Sequence, residues 1–448
     1  MGNVLEGKVC GMVTTSELDE SPSIKDKSSK AVGSVESDLP GANPTDSCTR
    51  DGGLKFPISL LTGGSDRPYV YGLTNALIEE GASVEIIGSD ELDLPEFRGE
   101  ERIQFLNFRG SLLQNSTAWA KVFRILTYYR RLVWYAVVAK PKLFHILWNN
   151  KFEIIDRTLL VLWYRSMGRK VVLTAHNINT AKRDGKDSWL NRLSLRIQYR
   201  LVDHIFVHTG KMKSELVEDY GASAAKVTVI PFGINNAAPK TDLAVREAKR
   251  HLGLNSDDRV LLFFGRIAPY KGLDILIAAF NKALEQDPRL RLIVAGRPDR
   301  CPEYWSALRE SIRKNEASGN ILLRAEFIPD SETEVYFKAA DALVLPYREI
   351  YQSGVMFLSH SFGLPVLASD VGSLRDEIIE GETGYLFRPE DASDLSNAIE
   401  RYFKSNLFEQ LDEHRIDIGK FAHERHSWQV VGQITAKVYE SLLKNPAR

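Results

Sequence analysis

From residue 55 onward the hydrophobic positions follow two alternating patterns: short continuous apolar runs, and longer stretches with apolar residues three and four apart. The run Phe56 to Thr62 ends in Gly63-Gly64. A helix-period stretch from Tyr69 to Glu80 follows, closed by Gly81, and Ser83 to Gly88 reads as the next strand. Strand, helix, strand in this order implies a parallel pair with a right-handed crossover. Further strands are predicted at 103–107, 143–147, 170–175, 203–208 and 226–230. A second series starts with strand 259–264, then helix 272–286, strand 290–295, helix 303–316 and strand 320–324. It continues with helix 331–339, strand 341–345, helix 354–362, strand 364–368 and helices 373–380 and 391–404. The expected fold class is α/β, with two tandem Rossmann-like doubly wound domains and a cleft between them. Residues 55–235 form the first domain and 236–425 the second, joined near Pro231 to Thr241 where Pro, Gly and Asn cluster. Residues 1–54, rich in Ser, Asp, Lys and Gly, bury too little apolar surface to fold and are expected to be a disordered tail.

Composition narrows the function classes. Of 448 residues, 58 are Lys or Arg and 59 Asp or Glu, a balance that argues against a nucleic-acid partner. Cys10, Cys48 and Cys301 show no CxxC spacing, which suits a reducing compartment. No apolar run approaches the roughly 18 residues of a membrane span, and no signal-peptide pattern opens the chain. A cytoplasmic protein is expected, peripheral to the inner membrane face at most.

Chemistry in doubly wound sheets gathers in the loops after the strands. After strand 259–264 comes Gly265-Arg266-Ile267-Ala268-Pro269-Tyr270-Lys271-Gly272, a turn with two cations five residues apart that opens a helix. An Arg fork, a Lys point charge and a helix N-terminus together suit a diphosphate. After strand 341–345, Ser353-Gly354-Val355 starts another helix, with Ser353 expected as its capping residue and its free N–H groups suited to an anion. Gly63-Gly64 is weaker, since a plain tight turn fits equally well. His176 ends strand 170–175 and could donate to a sugar hydroxyl; His145 and His208, also near strand ends, read as packing residues.

Together these segments resemble the family 4 retaining glycosyltransferases of the GT-B fold. Phe264-Gly265-Arg266 with Lys271-Gly272-Leu273-Asp274 looks like that family's donor-phosphate loop. Ile230-Pro231-Phe232-Gly233, Leu292 to Gly296, Phe362-Gly363-Leu364-Pro365-Val366 and Gly381 to Leu386 are similar to its other motifs, in the same order. The resemblance covers residue 55 to about 440. It implies transfer of a sugar from a nucleotide-diphosphate sugar to an acceptor hydroxyl, with retention of configuration and without a metal or other cofactor. Arg266 and Lys271 would bind the diphosphate, with backbone N–H groups of Ser353, Gly354 and Val355 on its other face. Gly64 and Gly265 would approach it closely, Gly296 and Arg297 would lie beside the donor, and a strand Glu326 to Ile328 would offer backbone groups to the base. His176 would sit near the transferred sugar, and residues 426–448 would form a helix crossing back to the first domain.

One departure stands out. The two Glu residues the family places eight positions apart fall on Tyr351 and Ser359, or on Leu358 in the shifted alignment. Glu349 is the candidate for the first Glu's role. Without the pair, a non-catalytic nucleotide-sugar-binding subunit and a nucleotide-sugar epimerase of the same fold stay open. The acceptor side is less defined, a glycan or a lipid-linked sugar. Residues 119–142 mix Trp119, Tyr128, Tyr129, Trp134 and Tyr135 with Lys121, Arg124, Arg130, Arg131, Lys140 and Lys142. That stretch fits a helix lying on an anionic membrane surface, and equally a core helix whose cations reach solvent.

Overall fold

The computed structural model describes residues 57–444, apart from 64–65, 112–117, 184, 235–237 and 300. The expected tail, and Gly64, lie outside the described residues. Among the described residues, thirteen strands build two all-parallel sheets. The first holds β1 (Pro57–Leu61), β2 (Ser83–Gly88), β3 (Ile103–Asn107), β4 (Leu143–Ile146), β5 (Lys170–Thr174), β6 (His204–Val207) and β7 (Val227–Val229). The second holds β8 (Arg259–Phe264), β9 (Leu290–Ala295), β10 (Ile321–Arg324), β11 (Ala342–Leu345), β12 (Val366–Ser369) and β13 (Gly384–Phe387). Their spatial orders, β3-β2-β1-β4-β5-β6-β7 and β10-β9-β8-β11-β12-β13, are the doubly wound arrangement twice over. Strands buried on both faces carry near-continuous apolar runs, as Leu261, Leu262 and Phe263 do in β8.

In each sheet the winding reverses once, between β1 and β4 and between β8 and β11. At such a switch point two neighbouring loops part and leave a crevice. The loops after β1, β4 and β5 meet those after β8 and β11 across one cleft. The helix Trp428–Lys444 packs on the first-domain helix Arg67–Glu79, burying Val431, Ala436 and Tyr439 there. The Trp428 indole donates to the Ile234 carbonyl at 2.6 Å. The last helix of the chain thus clamps the segment between the two sheets.

Three local expectations are corrected. Residues 373–380 form only the short 3-10 turn Arg375–Glu377. So short a segment gains too few backbone hydrogen bonds to offset helix nucleation, and Glu377 accepts instead from buried His426 at 3.1 Å. Residues 326–328 are loop, not strand: β10 ends at Arg324, and Pro329, which has no N–H, follows Ile328. Strand 364–368 begins only at Val366, since Pro365 cannot donate to the ladder.

The cleft and its candidate donor site

The cleft encloses a cavity of about 410 Å³ between the two sheets. From the second domain it is lined by Gly265, Arg266, Tyr270, Lys271, Tyr347, Gln352, Ser353, Gly354 and Val355, among others. The loop after β8 is shaped by close backbone approach. Gly265 has φ of 100°, and a Cβ on Gly296 would lie 1.7 Å from the Gly265 carbonyl oxygen, so the ends of β8 and β9 touch. Gly272, at φ 65°, turns the chain from the 3-10 turn Pro269–Lys271 into the helix Leu273–Gln286. A side chain there would strike the Pro346 carbonyl.

This turn delivers the two predicted cations in different states. Lys271 is only 7% exposed, its Nζ held 5.0 Å over the Tyr347 ring. Burial pushes the Tyr347 hydroxyl up to about 12, so the ring stays neutral beside the ammonium. Arg266 is 63% exposed and paired with Asp299 at 3.1 Å. Opposite them the helix Gly354–Ser361 points its N-terminus into the cavity. Ser353 occupies the position before that helix, but its side chain makes no capping bond. Its Oγ lies 3.4 Å from the Tyr347 hydroxyl instead, which corrects the expected cap. The Met356 N–H donates to the Ser353 carbonyl at 3.1 Å, which leaves the first-turn N–H groups of Gly354 and Val355 available to an anion.

The first domain supplies an aromatic wall of Tyr69, Trp148, His176 and Phe232. His176 stacks on Trp148 with ring centroids 4.5 Å apart and planes 8° from parallel, and meets Tyr69 edge-on at 4.6 Å. Its Nδ1 lies 3.1 Å from His208 Nε2, and His208 Nδ1 lies 3.3 Å from the Ile230 carbonyl oxygen. A carbonyl only accepts, so His208 carries its proton on Nδ1, and its bare Nε2 then accepts from His176 Nδ1–H. His176 Nε2 is left as an unprotonated acceptor with no partner, beside the cavity. Burial, then the neighbouring His208 and His145, holds His176 well below the ordinary histidine value. Asp66 also borders the cavity, accepting from the Tyr69 N–H at 3.3 Å. Protein crowding around it raises its carboxyl above the usual range.

The cleft thus brings together Arg266, Lys271, Gly265, Ser353, Gly354, Val355 and His176. Glu349 does not line it; its side chain is exposed to solvent while its neighbours Ile350 and Gln352 face the cavity. Gly296, Arg297 and Ile328 are not wall residues either. Gly296 supports Gly265 from behind, the Arg297 carbonyl accepts from the Ile267 N–H at 2.9 Å, and Ile328 is buried in the core. The positions onto which the family's Glu pair falls have other tasks. Tyr351 donates to both carboxylate oxygens of Glu215 in the first domain at 2.8 Å, and Ser359 donates to the Leu364 carbonyl at 3.0 Å. His145 is a packing residue as expected, its ring nitrogens bonded to Tyr439 and Thr174. His208 is not only that, since it sets the tautomer of His176. Sequence reasoning missed Tyr69, Trp148, Phe232 and Gln352 as wall residues, and Gln352 Oε1 is a further buried acceptor without a partner.

Two family models match the chain. Residues 63–237 fit the one described as Glycosyltransferase Family 4, and residues 245–425 the one described as Glycosyl transferases group 1. Over 286 residues the chain is 27% identical to a D-inositol 3-phosphate glycosyltransferase of Corynebacterium aurimucosum, covering 60% of this chain and 65% of that protein. A protein of the same name from Thermobispora bispora is 29% identical over 285 residues, 61% of this chain and 64% of that one. The matched stretch therefore spans slightly less than two thirds of these relatives' length. Among solved structures, sucrose-phosphate synthase from Thermosynechococcus elongatus superposes with a TM-score of 0.68 at 19% identity, covering 87% of this chain and all of that one. Anabaena HepE, solved in complex with UDP-glucose, gives 0.66 at 18% identity, covering 86% of this chain and all of that one.

Proposed function

From a chain that belongs to the family 4 glycosyltransferases and has their two-domain GT-B fold, we propose an enzyme that moves a sugar from a nucleotide-diphosphate donor to an acceptor hydroxyl with retention of anomeric configuration. One observation carries this reading: Lys271, Arg266 and the N-terminus of helix Gly354–Ser361 converge on one cavity from the second domain, facing His176 from the first. The bond from the anomeric carbon to the diphosphate oxygen breaks, and the acceptor oxygen bonds to that carbon from the same face. The acceptor's proton passes to the departing diphosphate, whose growing charge Lys271, Arg266 and the helix N–H groups stabilise. Those fixed positive groups take the charge-neutralising part a divalent metal would otherwise play, so no metal is required. His176, neutral and with a bare Nε2, accepts from a hydroxyl of the transferred sugar.

The donor is read by thermal shift with UDP-, GDP-, ADP- and CMP-linked sugars, because a ligand that binds only the folded state raises its stability. One nucleotide class is expected to raise the melting temperature, with EDTA making no difference. A flat response to all four, or an EDTA-sensitive one, counts against the reading. Proton NMR of the product's anomeric signal reports retention.

The acceptor is a glycan or a lipid-linked sugar reached at a membrane surface. Along the helix Ala118–Val138, Trp119, Phe123, Leu126, Trp134 and Val138 are exposed at helical spacing, Trp119 by 83%, while Tyr128, Leu132 and Tyr135 are buried on the opposite side. Exposed Arg130 lies among them, four residues from both Leu126 and Trp134, and exposed Arg131 borders them while donating to the Phe108 carbonyl at 2.9 Å, the composition of a helix that rests on anionic headgroups. The protein is expected to float with vesicles containing phosphatidylglycerol and less so as salt rises. Failure to float with them at low salt removes the membrane from this proposal. No described helix is long and apolar enough to cross a membrane.

A further inference from the structure

A second, smaller cavity of about 160 Å³ opens beside the cleft, within the first domain, and shares Trp148, His176 and Asn177 with it. Its walls come from the ends of β4 and β5, from the helical segment carrying Glu153 and Arg157, and from Gln198 and Tyr199 of helix Trp189–Leu201. Most polar groups here are already satisfied. The amides of Asn149 and Gln198 bond each other at 2.8 and 3.3 Å, and the Tyr199 hydroxyl donates to the Ile178 carbonyl at 2.6 Å.

Arg157 is different. It is 7% exposed, and it donates through Nη1 to Asn191 Oδ1 at 2.7 Å and to Ser194 Oγ at 3.4 Å, and through Nη2 to the Glu153 carboxylate. Two N–H donors remain, the second on Nη2 and Nε–H, and Nε–H is buried with no partner. A buried guanidinium rarely leaves a donor unspent without reason, because the desolvation cost goes uncompensated. Arg157 also sits in a π-helical turn, Asp156–Leu160, a deformation concentrated at functional sites. The carboxylate beside it belongs to Glu153, whose side chain is half exposed, so one of its oxygens can still accept.

We propose that this cavity is the acceptor subsite and that it takes an uncharged hydroxylated ring, a sugar or cyclitol unit. One hydroxyl accepts from Arg157 Nε–H, and its neighbour on the ring donates to Glu153. The ring's reacting hydroxyl then passes along the shared wall of Trp148 and His176 into the cleft where the donor sugar stands. The charge state selects the class of ring. Arg157 is the cavity's one cation among its described lining residues, and Glu153 neutralises it. A phosphorylated ring would have to displace Glu153, whereas hydroxyls use the pair as it stands. This subsite rests on the glycosyl-transfer reading.

Saturation-transfer NMR with methyl α-glucoside, methyl α-mannoside, myo-inositol and myo-inositol 1-phosphate tests it, on protein loaded with the nucleotide that the thermal shift selects. At least one uncharged ring is expected to bind, ahead of the phosphate. Arg157→Lys, which keeps the charge and loses Nε–H, should weaken it about tenfold, the equivalent of one charge-assisted hydrogen bond. Glu153→Gln, a half-exposed change, should turn the preference toward the phosphorylated ring. Binding of no uncharged ring, unchanged binding in Arg157→Lys, or a wild-type preference for the phosphate overturns the subsite. The nucleotide-induced melting shift on the same samples reports on the donor cleft alone. Its absence overturns the transfer reading, while its presence without ring binding overturns only the subsite.

Discussion

Replacing Lys271 with methionine is expected to lower turnover about 10²–10³-fold, the usual loss when one preorganised charge contact to a leaving group is removed. Methionine keeps the apolar stem and the contact with Tyr347, so the fold should survive while the charge goes. The effect is large because Lys271 is already in place. Its ammonium is buried over the Tyr347 ring at the end of a turn that Gly272 fixes, so no side-chain ordering is needed when the diphosphate arrives. Arg266→Ala should cost less, since Arg266 is mostly exposed and its charge is partly spent on Asp299. The two losses are read as kcat and KM on the donor selected by thermal shift, with melting temperature as the control for folding. Near-wild-type kcat in Lys271→Met, or a larger loss in Arg266→Ala, would contradict the assignment of the buried ammonium to the leaving group.

Why these two cations were legible in the sequence while much of the cleft was not has a physical cause. A strand buried on both faces must read as an apolar run, and a doubly wound sheet places ligands just past its carboxyl end. Arg266 and Lys271 follow the run Arg259–Phe264 directly, so pattern and position coincide. The aromatic wall obeys no such local rule. Tyr69 lies inside an amphipathic helix and Phe232 in the segment between the sheets, and each would pass for core in its own neighbourhood. Only the convergence of separate loops makes them one surface. Glu349 failed for the reverse reason: a loop can bring Ile350 and Gln352 to the cavity while turning the residue before them to solvent. Likewise, nothing local in Val207-His208-Thr209 announces that His208 holds the proton position of His176 through the Ile230 carbonyl. The corrected elements have the same origin. Residues 373–380 carry a helical period but too little length, and Glu326 to Ile328 look extended until Pro329 ends any ladder.

Acid should unfold this protein earlier than its balanced charge suggests, because several of its histidines are buried neutral. Burial lowers His145 to about 3 and His208 and His360 to about 4, and it pushes His176 well below the ordinary value. In the unfolded chain all four titrate near 6.5. Between those values the unfolded state binds more protons, so stability is fully present above about pH 6.5 and falls as pH drops toward 4. Each fully buried imidazole removes roughly 2–3 kcal/mol by about pH 4.5, and four together rival the whole stability of an ordinary domain. Asp156 works the other way. Burial raises its carboxyl to about 6, so its folded form gains protons first and offsets part of the loss. The melting temperature followed by circular dichroism from neutral pH to about 4.5 should therefore drop steeply over this window. The His176–His208 pair sharpens the fall, since the first proton to reach it places a cation against the second ring. In His208→Gln, which keeps a side chain able to donate to the Ile230 carbonyl, the drop should be shallower. A melting temperature that is flat across the window, or a steeper fall in the variant, would show that the buried imidazoles do not govern the acid limit.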